Sequence, residues 1–353
     1  MTRSNHPRRG VSIRLRGKFP IALALLFAAA LLISGCKRND NSDSSIFASN
    51  TDNSANQSNA NNTNGDSAEV TRGMADQQGQ ATQPDKGNFS VQYSAVQNPR
   101  YAQINENFRK KRMLEGIADD LNASIAIPEN VMITFKECGS PNAFWDPQSR
   151  SINMCYELME QMAEDFRGIA KSDEELGNLV NGALTFAFIH ELGHCLIDVL
   201  HLPSTGREED AVDQLSTFVL VALKGEEGER MAISGALSWA IQYDKLAKSG
   251  KTAGELNMLW ADEHSMDAQR FYNVFCWVFG HNPAKYQKMI NNPLPEQRAV
   301  RCPMEYTRLA TAWLTLLRPY LKDGGAKAAQ HTGPMVGTPN APAPPEGGEH
   351  SGH

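Results

Sequence analysis

Five consecutive residues, His190-Glu191-Leu192-Gly193-His194, are of the types and spacing that could hold a metal ion and hydrolyse an amide. On an α-helix, residues i and i+4 lie on one face, so the two imidazoles would stand one turn apart. There they could share a zinc ion at about 2.0–2.1 Å from each nitrogen. Glu191 would then sit beside the ion's open position, placed to take a proton from a water attacking a carbonyl. With 9 His among 353 residues, chance alone would produce such a pentapeptide in roughly one chain in a hundred of this length. The surrounding elements must supply the rest of a site.

The pentapeptide lies within 176–200, which is apolar on most faces (Leu179, Val180, Leu184, Phe186, Ile189, Leu196) and predicts a buried helix through the domain centre. That helix ends near His201-Leu202-Pro203. Thr205-Gly206-Arg207-Glu208 has the form of a capping box and predicts the start of the next helix. A short turn between the two would bring the acidic first turns of the second back over His190 and His194. Glu209 and Asp213 stand at i and i+4, so both can face the metal helix. Glu209 is the expected third zinc ligand. Asp213 is either the rival ligand or the partner of a histidine's far nitrogen. The competing reading of Glu208, Glu209 and Asp210 is an acidic helix start that complements the dipole.

HELGHCLIDVL followed by LPSTGREEDAVDQ resembles the gluzincin arrangement, in which HExxH is joined by a downstream Glu-x-x-Ala-Asp-like segment, here with Val212 at the Ala position. Together with CGSPNAFWDP, INMCYEL and DEHSMDAQRFYNVFCWVFG, these segments resemble a bacterial family classed as metallopeptidases of unknown biological role. The resemblance covers roughly residues 95–320. It implies Zn2+ as cofactor, a peptide or protein substrate, and a zincin-like domain. Thermolysin-like enzymes stabilise the oxyanion with a histidine C-terminal to the zinc site, which makes His264 a catalytic candidate, with Arg270 and Tyr272 as further ones. The alternative is that Asp262, Glu263, Asp267 and Arg270 form a structural ion-pair net around a satisfied His264.

Strand signals are confined to about 130–155, and the rest is helix-periodic. The expected fold class is therefore α+β, mainly helical, with a small sheet or hairpin beside the active-site helix. Val131–Phe135 and Ser151–Met154 read as its strands, with 142–147 turning between them. Trp145 either lines a pocket or packs under the hairpin.

The ends of the chain speak to its compartment. Residues 1–35 carry six basic residues and no acidic one, then an apolar run from Ile21 to Ile33, as in a signal peptide. Thirteen apolar residues fall short of the roughly 20 that a spanning helix needs. Leu32-Ile33-Ser34-Gly35-Cys36 resembles the bacterial lipoprotein box, implying an acylated Cys36 that anchors the chain in the lipid bilayer of the cell envelope. Lys37, where inner-membrane lipoproteins typically carry Asp, leans toward the outer membrane or periplasmic face. Residues 36–90 form an Asn/Ser-rich tether with a reach of roughly 40 Å. A domain is expected over 91–322, followed by a Gly/Pro tail over 323–353 whose His331, His350 and His353 read as inert.

Removing the six positive charges of residues 1–35 takes the net charge from −6 to −12, which argues against nucleic acid as a ligand. Of the five remaining cysteines, Cys138 with Cys155 and Cys276 with Cys302 are plausible local disulfides in an exported protein, and Cys195 reads as core. The expectation is a membrane-anchored extracytoplasmic zinc metallopeptidase. Its alternatives are a non-catalytic lipoprotein scaffold or binding protein, and a zinc amidase acting on cell-wall material.

Overall fold

A computed structural model of the chain describes residues 84–250 and 261–322. The expected leader, Cys36, the tether as far as residue 83, Trp260 and the tail from 323 lie outside the described residues.

Four strands, β1 (Phe89–Tyr93), β2 (Val131–Lys136), β3 (Ala143–Asp146) and β4 (Ser151–Cys155), form one sheet in the order β1-β2-β4-β3. β1, β2 and β4 are parallel, and β3 runs antiparallel to β4 at the edge. Every residue of β4 is buried, as a central strand covered on both faces requires. The strands expected as a hairpin therefore pair in parallel, Met132 opposite Ser151. The stretch 142–147, expected as their turn, contains the edge strand itself. Two parallel neighbours cannot be joined by a tight turn. The crossover over 137–150 contains β3, and the reversal moves to 147–150, where the Asp146 carboxylate accepts from the amides of Gln148 and Ser149. β1 begins at Phe89, inside the stretch expected as tether. Phe89 is buried, and Asn122 bonds both its N–H and its carbonyl.

Among the described residues there are eight α-helices, the first two between β1 and β2 and the others after β4: α1 (Pro99–Lys111), α2 (Met113–Ser124), α3 (Tyr156–Phe166), α4 (Asp173–Val199), α5 (Glu208–Lys248), α6 (Asp267–His281), α7 (Glu296–Ala299) and α8 (Cys302–Leu317). Ser172 caps α4 by accepting from the Glu175 amide, and three acidic residues fill its first turn. α4 is apolar nearly all round because the sheet, α3 and α5 cover it. α5 is interrupted at Gly225, whose φ of 55° and ψ of −133° suit only glycine, and it runs as two segments, 208–224 and 226–248. One core joins Ile133, Ile152, Leu192, Leu215, Val278 and Trp313 across sheet, α4, α5, α6 and α8. A second gathers Phe108, Phe135, Met154, Tyr156, Phe166 and Leu184 around α1 and α3.

Two disulfides brace the outer elements. Cys138–Cys155 closes the crossover between β2 and β4, and Cys276–Cys302 ties α6 to α8. Cys195 is a buried free thiol within the first core.

Candidate active site

The contact between α4 and α5 depends on a missing side chain. A Cβ at Gly193 would lie 2.7 Å from Val212 Cγ1, so glycine within the pentapeptide lets the first turns of α5 lie against the histidines. α5 starts at Glu208, not at the expected capping box. Its N-cap is Arg207, with no side-chain cap bond. The Glu208 carboxylate instead meets His194 Nδ1 at 2.7 Å through Oε1.

Glu209, on the next position, faces both histidines. Its Oε2 lies 3.0 Å from His190 Nε2, and its Oε1 3.3 Å from His194 Nε2. The two Nε2 atoms are themselves 3.3 Å apart. A tetrahedral set of donors about 2.0–2.1 Å from a zinc ion has edges of roughly 3.3–3.4 Å. The donor set and its spacing therefore fit such an ion. All three side chains are only slightly exposed, between 8% and 15%. Of the three, His190 lines a cleft, and a set of three protein ligands leaves a fourth position open, as catalytic zinc sites do.

A carboxylate stands behind each histidine. Asp213 Oδ1 lies 2.8 Å from His190 Nδ1, and Glu208 takes the same place for His194. Both contacts direct the Nε2 atoms inward. Asp213 is thus placed behind a histidine and not among the three converging donors. Its buried carboxylate is gripped by Arg270, with Nε donating to Oδ2 at 2.7 Å and Nη2 to Oδ1 at 2.8 Å. The guanidinium also lies 4.0 Å over the Trp239 ring. Arg270 thus gives Nε and Nη2 to Asp213 while it also lines the cleft. Tyr272 packs on Phe271 and is not among the residues lining the cleft.

His264 does reach the site. Its Nε2 is 3.0 Å from Glu209 Oε2, its Nδ1 is 2.8 Å from Asp262 Oδ1, and its ring stacks over His190. His201 lies beyond the end of α4, and His281 packs on Tyr306, so neither joins it. The other cluster of ligand types, Cys138, Cys155 and Glu157, has its sulfurs in a disulfide and its carboxylate on the amides of Cys138 and Gly139.

The family model described as "Putative metallopeptidase" matches residues 93–317. The chain belongs to this family. No curated protein and no solved structure matches the chain. Membership in a metallopeptidase family agrees with a metal at His190, His194 and Glu209 and with peptide as the class of substrate.

Electrostatics of the metallopeptidase site follow from the packing. Burial opposes charge on His194, but hydrogen bonds to Glu209 and Glu208 outweigh it and raise its pKa to about 9. His264 also rises to about 9, chiefly through Glu209. Burial would raise Glu209, yet the three imidazoles around it hold it far below the usual carboxylate range. Burial raises the pKa of Glu191. Its Oε2 accepts from the Trp145 amide at 2.9 Å, which fixes the carboxylate against the edge strand.

Trp145 itself packs on the core, and its Nε1 donates to Asp198, so its indole is not part of the cleft. That cleft, of about 380 Å³, opens from His190 and Glu191 between α3, α4 and the second segment of α5. Sequence reasoning missed the role of Gly193, the contact of Glu208 with His194 and the bond from Arg270 to Asp213, whereas Asp262 stands beside His264 as the ion-pair alternative expected.

Proposed function

We propose that the chain is a zinc-dependent metallopeptidase of zincin-like fold, working outside the cytoplasm and anchored to a membrane of the bacterial envelope through acylated Cys36. The convergence of His190 Nε2, His194 Nε2 and Glu209 on one point, at spacings of 3.0–3.3 Å, carries this reading. His190, His194 and Glu209 would hold the zinc, which would supply a Lewis acid for the scissile carbonyl and acidify the attacking water. Glu191 takes the proton of the attacking water and passes it to the leaving amine, and its burial raises its pKa.

The Trp145 N–H keeps the carboxylate of Glu191 facing the cleft. His264, oriented by Asp262, is the oxyanion donor once its Nε2 exchanges the Glu209 oxygen that it meets at 3.0 Å for the substrate. β3 is an antiparallel edge strand beside α4, where an extended peptide can add as a further strand. The anchoring part of the proposal rests on the basic leader, the short apolar run and the Ser34-Gly35-Cys36 ending.

The mature chain should hold about one zinc per molecule. Glu191→Gln should keep that zinc and lose turnover of peptide libraries. If Glu191→Gln cleaves as well as the wild type, or if both chains bind no zinc, the reading is wrong.

A further inference from the structure

α8 turns toward solvent a face that neither the core nor peptide hydrolysis uses. Its buried residues, Cys302, Tyr306, Leu309, Ala310, Trp313 and Leu317, recur at helical spacing and pack inward. The opposite face carries Met304, Arg308, Thr311, Ala312 and Thr315, all exposed and none acidic. Thr307, Thr311 and Thr315 each donate their hydroxyl to the carbonyl four residues back, so those donors are committed to the helix itself. Val300, just ahead of α8, and Met304 are the two most exposed large apolar side chains among the described residues, at 66% and 51%.

Arginines frame this strip. Arg301, Arg308 and Arg318 are exposed, and none has an ion-pair partner among the described residues. Two other cations nearby are already paired, Arg298 with Glu305 and Lys322 with Asp85. The one other carboxylate within 296–322 is Glu296. A chain with a net charge of −6 thus presents a strip that is locally positive and partly apolar.

The attachment of the domain selects what covers it. Asp85 follows residue 84, where the described residues begin, and meets Lys322 at 2.6 Å. The link from Cys36 therefore joins the fold at the Arg318 end of the strip, which runs about 21 Å from Met304 at 1.5 Å per residue. A bilayer offers anionic headgroups to arginines and an acyl boundary to Val300 and Met304. A second copy would set arginine against arginine. Resting on the envelope anchoring proposed above, we propose that this face of α8 is a docking surface for anionic phospholipid, which lays the domain on the bilayer that holds its anchor.

The test uses the mature chain carrying Cys36→Ser, which cannot be acylated there, in sedimentation with vesicles. Vesicles of equal parts phosphatidylcholine and phosphatidylglycerol should bind it, less so as ionic strength rises, and phosphatidylcholine alone at least about 10-fold more weakly. Combined Arg301→Gln, Arg308→Gln and Arg318→Gln should weaken binding by about 100-fold, near 5-fold for each arginine. Combined Val300→Gln and Met304→Gln should weaken it by about 10-fold. Both variants should keep the wild-type melting temperature, since all of these side chains are exposed. The proposal is overturned if phosphatidylglycerol confers no advantage, or if either variant binds as well as the parent chain. It is also overturned if polyglutamate binds more tightly than the anionic vesicles, or if the substitutions instead dissolve a dimer. Vesicle binding by the Cys36→Ser chain, beside a wild-type chain that carries no acyl group in its bacterial host, would defeat the anchoring reading alone. An acylated wild type whose Cys36→Ser form ignores anionic vesicles would defeat this inference alone.

Discussion

Arg270→Leu is the substitution that most directly tests how the candidate site is supported. Arg270 and Asp213 have side chains 10% and 3% exposed, and they share two hydrogen bonds of 2.7 and 2.8 Å. Removing the guanidinium strands a carboxylate that is otherwise held only by His190 Nδ1 and is out of reach of bulk water. Breaking a buried pair in this way costs about 3–5 kcal/mol. The lost stacking over Trp239 overlaps with that figure and is not added to it. In a domain of this size each kcal/mol lowers the melting temperature by about 2–4 °C, so the metal-free variant should melt roughly 6–20 °C below wild type.

The combined Arg270→Leu and Asp213→Leu variant removes the stranded charge as well. Its stability should return to within a few degrees of wild type, because apolar replacement of a buried pair is often neutral. His190 has then lost its Nδ1 partner, and metal affinity should fall by about 10–100-fold. Thermal unfolding in chelator and a metal titration separate the two effects. The reasoning is refuted if the single variant melts within about 2 °C of wild type, or if the double variant binds metal as tightly as wild type.

Further outcomes follow from the same packing. Gly193→Ala places a methyl 2.7 Å from Val212 Cγ1, so despite the better helix propensity of alanine it should cost about 1–3 kcal/mol by denaturant unfolding. It should also weaken metal binding, and unchanged affinity would show that the glycine does not set the approach of Glu209. Without metal, His194 and His264 have pKa values raised to about 9, so their contribution to stability is full below about pH 6.5 and fades as pH rises through 9. Metal needs the neutral imidazole of His194, so affinity should climb with pH over that window. Calorimetry in buffers of different ionisation enthalpy should find about one or more protons released per metal at pH 7, and none released would contradict the arrangement. Replacing Cys138 and Cys155 by alanine opens a 17-residue separation and should destabilise the fold by about 3 kcal/mol in equilibrium unfolding.

What the sequence made legible was local. His190 and His194 repeat at i+4, and Glu209 and Asp213 repeat at i+4, so spacing alone is enough to set two helices face to face. The fold brings three of the four to one point and sets the fourth behind His190. The rest depends on partners distant in sequence. Arg270 reaches Asp213 from 57 residues away, and the acidic residues near it in sequence suggest an ion pair but not this partner. Thr205 and Glu208 match a capping box, but the helix begins at Glu208 with Arg207 as N-cap, and Glu208 reaches His194. Alternation over 142–147 is too short to separate a four-residue edge strand from a turn.

That edge strand shows how positioning can be shared between distant residues. The Trp145 amide holds Glu191, and its indole Nε1 donates to Asp198, seven residues further along α4. Arg150, just past the turn after β3, donates to the same Asp198 oxygen at 2.9 Å. β3 is therefore pinned to α4 at two points about two turns apart, and its direction relative to the metal helix is fixed by side chains as well as by the sheet. A single pin at Glu191 would let the strand pivot about the general base. With the second at Asp198, a peptide added along β3 meets Glu191 in one register. Asp198→Ala should then impair turnover of long peptides more than of short ones while leaving metal content unchanged. An equal effect on both lengths would mean that the second pin serves stability alone.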